Sequence, residues 1–198
     1  MKINESGRSM IEMLGVLAIV GVLSVGGIAG YSRAMSKFRE NKTVDMVSHI
    51  AANTRILYGS QKSYKGLNDS IAEKAKLFPE GNNANPFGGS NPVSIKSATR
   101  GTAIAENAED TSGDEKAFVI VVPDVPVESC INLLTIDWGT GTGGGIIAIG
   151  TDEDGVTLGL QGCTPGATDT GYACGVMTVD QAVAACDDGG SDLYFKFY

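Results

Sequence analysis

Between Met13 and Ser32 the chain carries twenty residues without a single charge. At about 1.5 Å per residue, a helix of that length spans about 30 Å, the thickness of a bilayer's hydrocarbon core. A helix that is apolar on every side has no aqueous face, so it needs lipid or other apolar helices around it. One carboxylate, Glu12, stands at the lip of the run. An acid costs about 2.5–3.5 kcal/mol at a membrane centre and less toward its edge, so its position asks for a compensating group. From the residues alone two plain readings compete: a signal anchor with an acid in the headgroup zone, and a cleaved secretory signal with a small-residue exit at Ile28-Ala29-Gly30.

Past this run the pattern changes but the helix does not stop. Val44, Val47, Ile50, Ala51, Thr54, Leu57 and Tyr58 recur at steps of three and four, the spacing of one apolar helical face. Lys37, Arg39, Glu40, Lys42, Asp45 and Asn53 fill much of the rest, and Gly59 suits a C-cap. A single helix of about 50 residues would be about 75 Å long, too long for a compact domain of this size. Five glycines, Gly15, Gly21, Gly26, Gly27 and Gly30, lie in its apolar half. They either let helices approach closely or mark a place where the helix unwinds.

Charge divides the chain in the same place. Residues 1–43 hold six basic and three acidic residues, net +3; residues 44–198 hold nine basic and twenty acidic, net −11. An acidic globular part argues against nucleic acid as a partner through bulk electrostatics. Arg33, Lys37, Arg39 and Lys42 follow the apolar run, whereas only Lys2 and Arg8 precede it. That is the wrong way round for a plain anchor with its N-terminus inside.

The remainder reads as a mixed α+β head. Ser60–Gly101 is loop-rich, with a short helix over Ser70–Leu77 capped by Ser70 and Glu73, and a tight turn at Asn85-Pro86-Phe87-Gly88-Gly89 that turns Phe87 inward. Glu106–Glu115 is an acidic surface loop. Ala117–Val122 is a buried strand, Pro123–Glu128 a turn, Ser129–Ile136 a short helix, and Ile146–Ile149 and Val156–Leu160 are strands. Thr178-Val179-Asp180-Gln181 opens a helix over Val179–Cys186. Leu193–Tyr198 alternates with period two, placing Leu193, Phe195 and Phe197 inward and Tyr194, Lys196 and Tyr198 outward. The sites of common chemistry are missing from the pattern. Gly139–Gly145 lacks the lysine and hydroxyl of a phosphate loop, and Asp152-Glu153-Asp154-Gly155 lacks the later ligands of a calcium loop. The four cysteines, Cys130, Cys163, Cys174 and Cys186, show no C-x-x-C spacing, and the lone His49 is far from them. An even number behind a membrane-targeting segment points instead to two disulfides in an oxidising compartment, with three connectivities open. No nucleophile–base pair stands out, so an enzyme is not expected, and no cofactor is implied.

The order of features at the N-terminus resembles that of type IV prepilins: a short polar leader ending in Gly7, a glutamate at the fifth position after it, a continuous apolar helix and then an amphipathic one. The resemblance implies that a membrane-embedded prepilin peptidase cuts after Gly7, making Arg8 the new and methylated N-terminus, and that Glu12 serves assembly. The family usually carries an apolar residue where this chain has Arg8. The amine of Arg8 and a neighbouring subunit's Glu12 would each be costly alone in an apolar filament core and tolerable as a pair. Within the group, Tyr58–Leu67 and Asn85–Gly89 resemble type IVb pilins, the bundle-forming and toxin-coregulated kinds, although a seven-residue leader is short for them. Cys130-Ile131-Asn132-Leu133-Leu134-Thr135 and Ala182-Val183-Ala184-Ala185-Cys186 resemble the two half-cystine motifs of that group. The resemblance therefore implies a Cys130–Cys186 disulfide, which leaves Cys163–Cys174 as a second pair with no family counterpart.

The same resemblance implies a pilin fold: a long N-terminal helix packed by its C-terminal half on an antiparallel sheet. Residues 1–7 would be the leader, 8–59 the helix (8–32 in membrane or filament core, 33–59 amphipathic) and 60–198 the head. The implied function is that of a major pilin, a structural subunit of an extracellular type IV pilus serving adhesion or aggregation. Its partners would be further copies of itself, the prepilin peptidase and the assembly machinery, with the inner membrane as the precursor's location. A minor pilin or a type II secretion pseudopilin is the nearest alternative. A signal-anchored extracytoplasmic binding domain that never polymerises is the alternative of a different class.

Overall fold

A computed structural model describes residues 8–79, 82–98, 115–139, 145–153, 171–173, 175–186 and 191–198. Its contacts divide the chain into two units, Met1–Phe38 and Arg39–Tyr198. Helix α1 runs from Arg8 to Tyr58. In the first unit its apolar side chains, among them Met10, Leu14, Leu17, Val22 and Ile28, are exposed. The helix is continuous through Gly26–Gly30, so the unwound reading of those glycines does not describe this structure.

In the second unit α1 buries a stripe made of Glu40, Thr43, Met46, Val47, Ile50, Ala51, Thr54 and Tyr58. Leu57, expected on that stripe, is exposed, because it falls at the stripe's edge in the last turn. The other elements are α2 (Asp69–Lys74), β1 (Ser94–Ala98), β2 (Ala117–Val125), α3 (Val127–Leu134), β3 (Ile146–Gly150), β4 (Tyr172–Ala173), α4 (Val179–Ala185) and β5 (Ser191–Phe197). Among the described residues the strands form one five-stranded sheet in the order β1-β2-β5-β3-β4, antiparallel at every pairing. The C-terminal strand β5 thus lies at the centre. This is the α+β architecture that the resemblance implied.

Period two sorts the sheet residues onto two sides. Phe118, Ile120 and Val122 of β2, Leu193, Phe195 and Phe197 of β5 and Ile149 of β3 share a core with Val47, Ile50 and Tyr58 of α1. Aromatic rings run through it in sequence. Tyr58 lies 5.4 Å from Tyr64, Tyr64 4.9 Å from Phe118 and Phe118 5.6 Å from Phe197, each within the range where ring pairs add to area burial. The opposite side carries a smaller cluster of Ala98, Ala117, Val119, Ala148 and Tyr194.

Several local readings change. The helix expected over Ser70–Leu77 starts at Asp69, and its cap is Asn68, whose Oδ1 accepts the Ile71 N–H at 3.1 Å. Ser70 lies two positions past that cap, inside the first turn of the helix. Strand β1 lies in a region read as loop. Its sequence Ser-Ile-Lys-Ser-Ala carries one large apolar residue, Ile95, and the strand forms by pairing with β2 and through Asp69, whose carboxylate accepts the Ile95 N–H at 2.6 Å. The turn expected at Pro123–Glu128 is instead a continuation of β2 to Val125, with a register shift between Val122 and Val125. A proline is tolerated at such an irregularity because no ladder donor is needed there. The Pro123 carbonyl accepts Asn85 Nδ2 at 2.7 Å, while Asn85 Oδ1 accepts the Phe87 N–H at 2.9 Å. That pair of bonds shapes the Asn-Pro-Phe-Gly turn, and Phe87 packs against the core. The strand expected at Val156–Leu160 lies outside the described residues.

The main surprise is on β5. Tyr194 and Lys196, expected to face solvent, are buried. A central strand is covered on both sides, and Lys196 stands in register between Val119 of β2 and Ala148 of β3. Burial pulls its ammonium down to about 8, since desolvation disfavours the charged form. Lys96 of β1 and Glu153, which follows β3, form an ion pair, and the Tyr194 hydroxyl donates to Glu153 Oε2 at 3.5 Å. Burial first, and the Glu153 carboxylate second, push the Tyr194 phenol up to about 12.

Between the lowered pKa of Lys196 in the fold and its ordinary value of 10.5, the unfolded chain holds a proton that the folded chain does not. Stability from this group therefore rises with pH across that window. Denaturant titrations at several pH values between about 8 and 10 should show that rise in the wild-type chain and lose it in Lys196→Met.

Candidate functional site

A shallow cleft beside α1 is lined by Lys42, Asp45, Met46, His49, Pro79 and Asn82. Among the described residues, no three His, Cys, Asp or Glu side chains gather to hold a metal ion. What stands out is α1 itself. Its N-terminal part has a mean hydropathy of 2.2 over its most apolar window, long and apolar enough to cross a membrane, and none of that window is buried. Arg8 opens the helix and Glu12 lies four residues on, one turn away. The Glu12 side chain is exposed. Gly7 and the side chain of Arg8 lie outside the described residues. The structure therefore places the Arg8 backbone and Glu12 on one helix.

In the second unit α1 meets α3 through a buried acid. The Glu40 carboxylate, 4% exposed, accepts Ser129 Oγ at 3.0 Å and Asn132 Nδ2 at 3.1 Å. Both donors are on α3, three residues apart, so one face of α3 presents two donors to one carboxylate. Hydrogen bonds to a charged group are worth about twice those between neutral ones. Sequence reasoning had placed Glu40 on the polar side of α1. The missed signal is its spacing. Glu40 precedes Thr43 and Val44 by three and four residues and Val47 by seven, which puts it on the apolar stripe.

Helix α3 is held from its other side by a disulfide. Cys130, two residues before Asn132, joins Cys186 just past α4, with a Cα–Cα distance of 6.1 Å. The Met177 N–H also donates to the Leu134 carbonyl at 3.2 Å, and the Thr178 N–H donates to Gln181 Oε1 at 2.9 Å, closing the first turn of α4. Cys163 and Cys174 lie outside the described residues. At the far end of α1, Arg55 reaches the C-terminal strand. Its Nε donates to the Tyr198 carbonyl at 3.0 Å, and its guanidinium lies 5.4 Å from the Phe197 ring centroid. A Cβ at Gly145 would meet that guanidinium, and the left-handed backbone there, with φ at +68°, favours glycine.

A long apolar helix with an unburied half, tied by polar links to an antiparallel head, is the arrangement of a pilin. The family model described as PilS N terminal matches residues 37–195. The chain belongs to this family and is a type IVb-like pilin. Its relatives include the protein described as "Major structural subunit of bundle-forming pilus" from Escherichia coli O111:H-, 24% identical over 194 residues, which cover 94% of this chain and 90% of the relative. The protein of the same description from Escherichia coli O127:H6 matches to the same extent. Among solved structures, the pilin fold is shared with TcpA, a type IV pilin of Vibrio cholerae El Tor biotype. The TM-score is 0.52 and the identity 16%, over 80% of this chain and 97% of the other.

Two outcomes follow for the pilin head. Glu40→Ala strands the Ser129 and Asn132 donors, and urea unfolding should show a loss of about 2 kcal/mol. Opening the 56-residue separation between Cys130 and Cys186, by Cys130→Ser with Cys186→Ser, should cost about 4 kcal/mol by loop entropy, measured in the same way.

Proposed function

We propose that this pilin is a major structural subunit, built to polymerise through α1 into an extracellular type IV filament. The observation that carries the reading is the unburied apolar surface of α1 in a chain that aligns over nine-tenths of a relative described as a major pilus subunit. Such a surface leaves water only inside a bilayer or among other apolar helices. The precursor sits in the inner membrane by this helix. Residues 1–7 are a leader that the prepilin peptidase removes after Gly7, residues 8–59 act as the assembly helix and residues 60–198 as the coat. The new amine at Arg8 pairs with Glu12 of a neighbouring copy and sets the axial register. Adhesion or aggregation follows from the exposed heads, and the work is structural rather than enzymatic. A minor pilin or secretion pseudopilin shares every feature of this reading except abundance.

The deciding measurement is the intact mass of the chain in sheared extracellular material. A chain beginning at Arg8, one methyl group heavier and abundant in a high-molecular-weight fraction, is expected. A full-length chain confined to membranes would overturn the reading, and trace amounts beside another abundant pilin would make this a minor subunit. In Glu12→Val, breaking the buried pair removes about 3–5 kcal/mol at each contact. The processed chain should then accumulate in the membrane while sheared filaments disappear.

A further inference from the structure

Among the described residues, strand β1 is one edge of the sheet, and the other edge, β4, is two residues long. Along a strand the main-chain N–H groups turn alternately toward one neighbour and the other. In β1 one set faces β2, its partner in the sheet. The other set is made of Val93, just before the strand, Ile95 and Ser97, and each of its donors is taken. The Val93 N–H donates to the Asn83 carbonyl at 2.8 Å and the Ser97 N–H to the Leu67 carbonyl at 3.1 Å. Between them the Ile95 N–H donates to Asp69 Oδ1 at 2.6 Å. No strand supplies these acceptors. Leu67 and Asp69 flank Asn68, the cap of α2, and Asn83 lies beyond that helix, so α2 and its flanks straddle the edge.

We infer that this clasp is an autoinhibitory contact, in which Asp69 closes the edge of β1 against pairing with an extended strand of a second copy. An open edge is a template for a strand from another chain. A lysine on the strand is one common guard, but the one charged side chain of β1, Lys96, is paired with Glu153. The clasp does that work instead. An incoming strand could exchange its own carbonyls for those of Asn83 and Leu67, one neutral acceptor for another. It has no equal replacement for Asp69, because a hydrogen bond to a carboxylate is about twice as strong as one between neutral groups. Asp69 is also held in place, since the Asn68 side chain fixes the first turn of α2 by accepting the Ile71 N–H at 3.1 Å. The inference goes beyond the polymer reading and stands without it.

The test uses the full-length chain in mild detergent. In the wild type the amides of Val93, Ile95 and Ser97 should be protected from exchange with deuterium, and free exchange at Ile95 would overturn the clasp without any variant. Asp69→Leu removes the acceptor and Asp69→Asn keeps one, while both take the same charge from the first turn of α2. Asp69→Leu should speed exchange at Ile95 by about tenfold. It should also associate as its concentration rises, read as a growing sedimentation coefficient and thioflavin fluorescence. Asp69→Asn should match the wild type in both measurements. Adding Ser97→Pro to Asp69→Leu removes an outward donor without touching the bonds to β2, and should restore the wild-type size. An Ile95 amide in Asp69→Leu as slow as in the wild type would show that Asn83 and Leu67 hold the edge alone, and would remove Asp69 from the clasp. A fast Ile95 amide in a chain that keeps the wild-type size at every concentration would show an open edge that no second copy enters, and would overturn the inference. Association that persists with Ser97→Pro would place the contact elsewhere, with the same result.

Discussion

The head of this pilin depends on one helical face. From Glu40 to Tyr58, α1 presents a stripe that supplies the floor of the core, and the sheet residues that meet it come from strands far apart in the chain. Burying a side chain such as Ile50 or Val47 is worth about 1.5–3 kcal/mol, so a stripe of this length is a large share of what a small head can gather. A mostly polar strand such as β1 is held here by pairing with β2 and by the Asp69 carboxylate rather than by its own apolar content.

Two devices then fix how the peripheral elements sit on that floor. Apolar packing is non-directional, and a short helix such as α3 could slide along the core with little change in buried area. The Glu40 carboxylate, bonded to two donors on α3, opposes such a slide. A buried acid of this kind adds little net stability compared with a hydrocarbon, because its desolvation offsets most of the gain, but removing one partner is costly. The Cys130–Cys186 disulfide passes the constraint on to α4, and Arg55 does the equivalent for the end of β5. These links join elements that sequence separates by more than fifty residues, and they suit a subunit whose surface faces the medium.

How much of this was legible in the sequence depends on the range of the interaction. The apolar run, the long helix, the α4 start at Thr178 and the inward set Leu193, Phe195 and Phe197 are written in short-range patterns. So is the family resemblance, whose motifs sit on consecutive residues. Most of the failures are positions where a distant partner overrides the local signal; the cap of α2 is the local exception. Ser94–Ala98 looks like loop until β2 pairs with it. Asn68 outcompetes Ser70 as cap because its side chain reaches the Ile71 N–H. Pro123 reads as a turn until a register shift lets β2 continue.

By itself, the sequence determined that the chain needs an apolar environment at one end and water at the other, because hydrophobicity and charge belong to residues regardless of their arrangement. It also determined the period of each long element. Only the tertiary structure decided that the last strand would be the central one. Centrality is a property of pairing order, and it turns an ordinary alternation into burial of both Tyr194 and Lys196. Likewise, Glu40 became an anchor only because folding brought Ser129 and Asn132 within hydrogen-bonding distance across about ninety residues of chain.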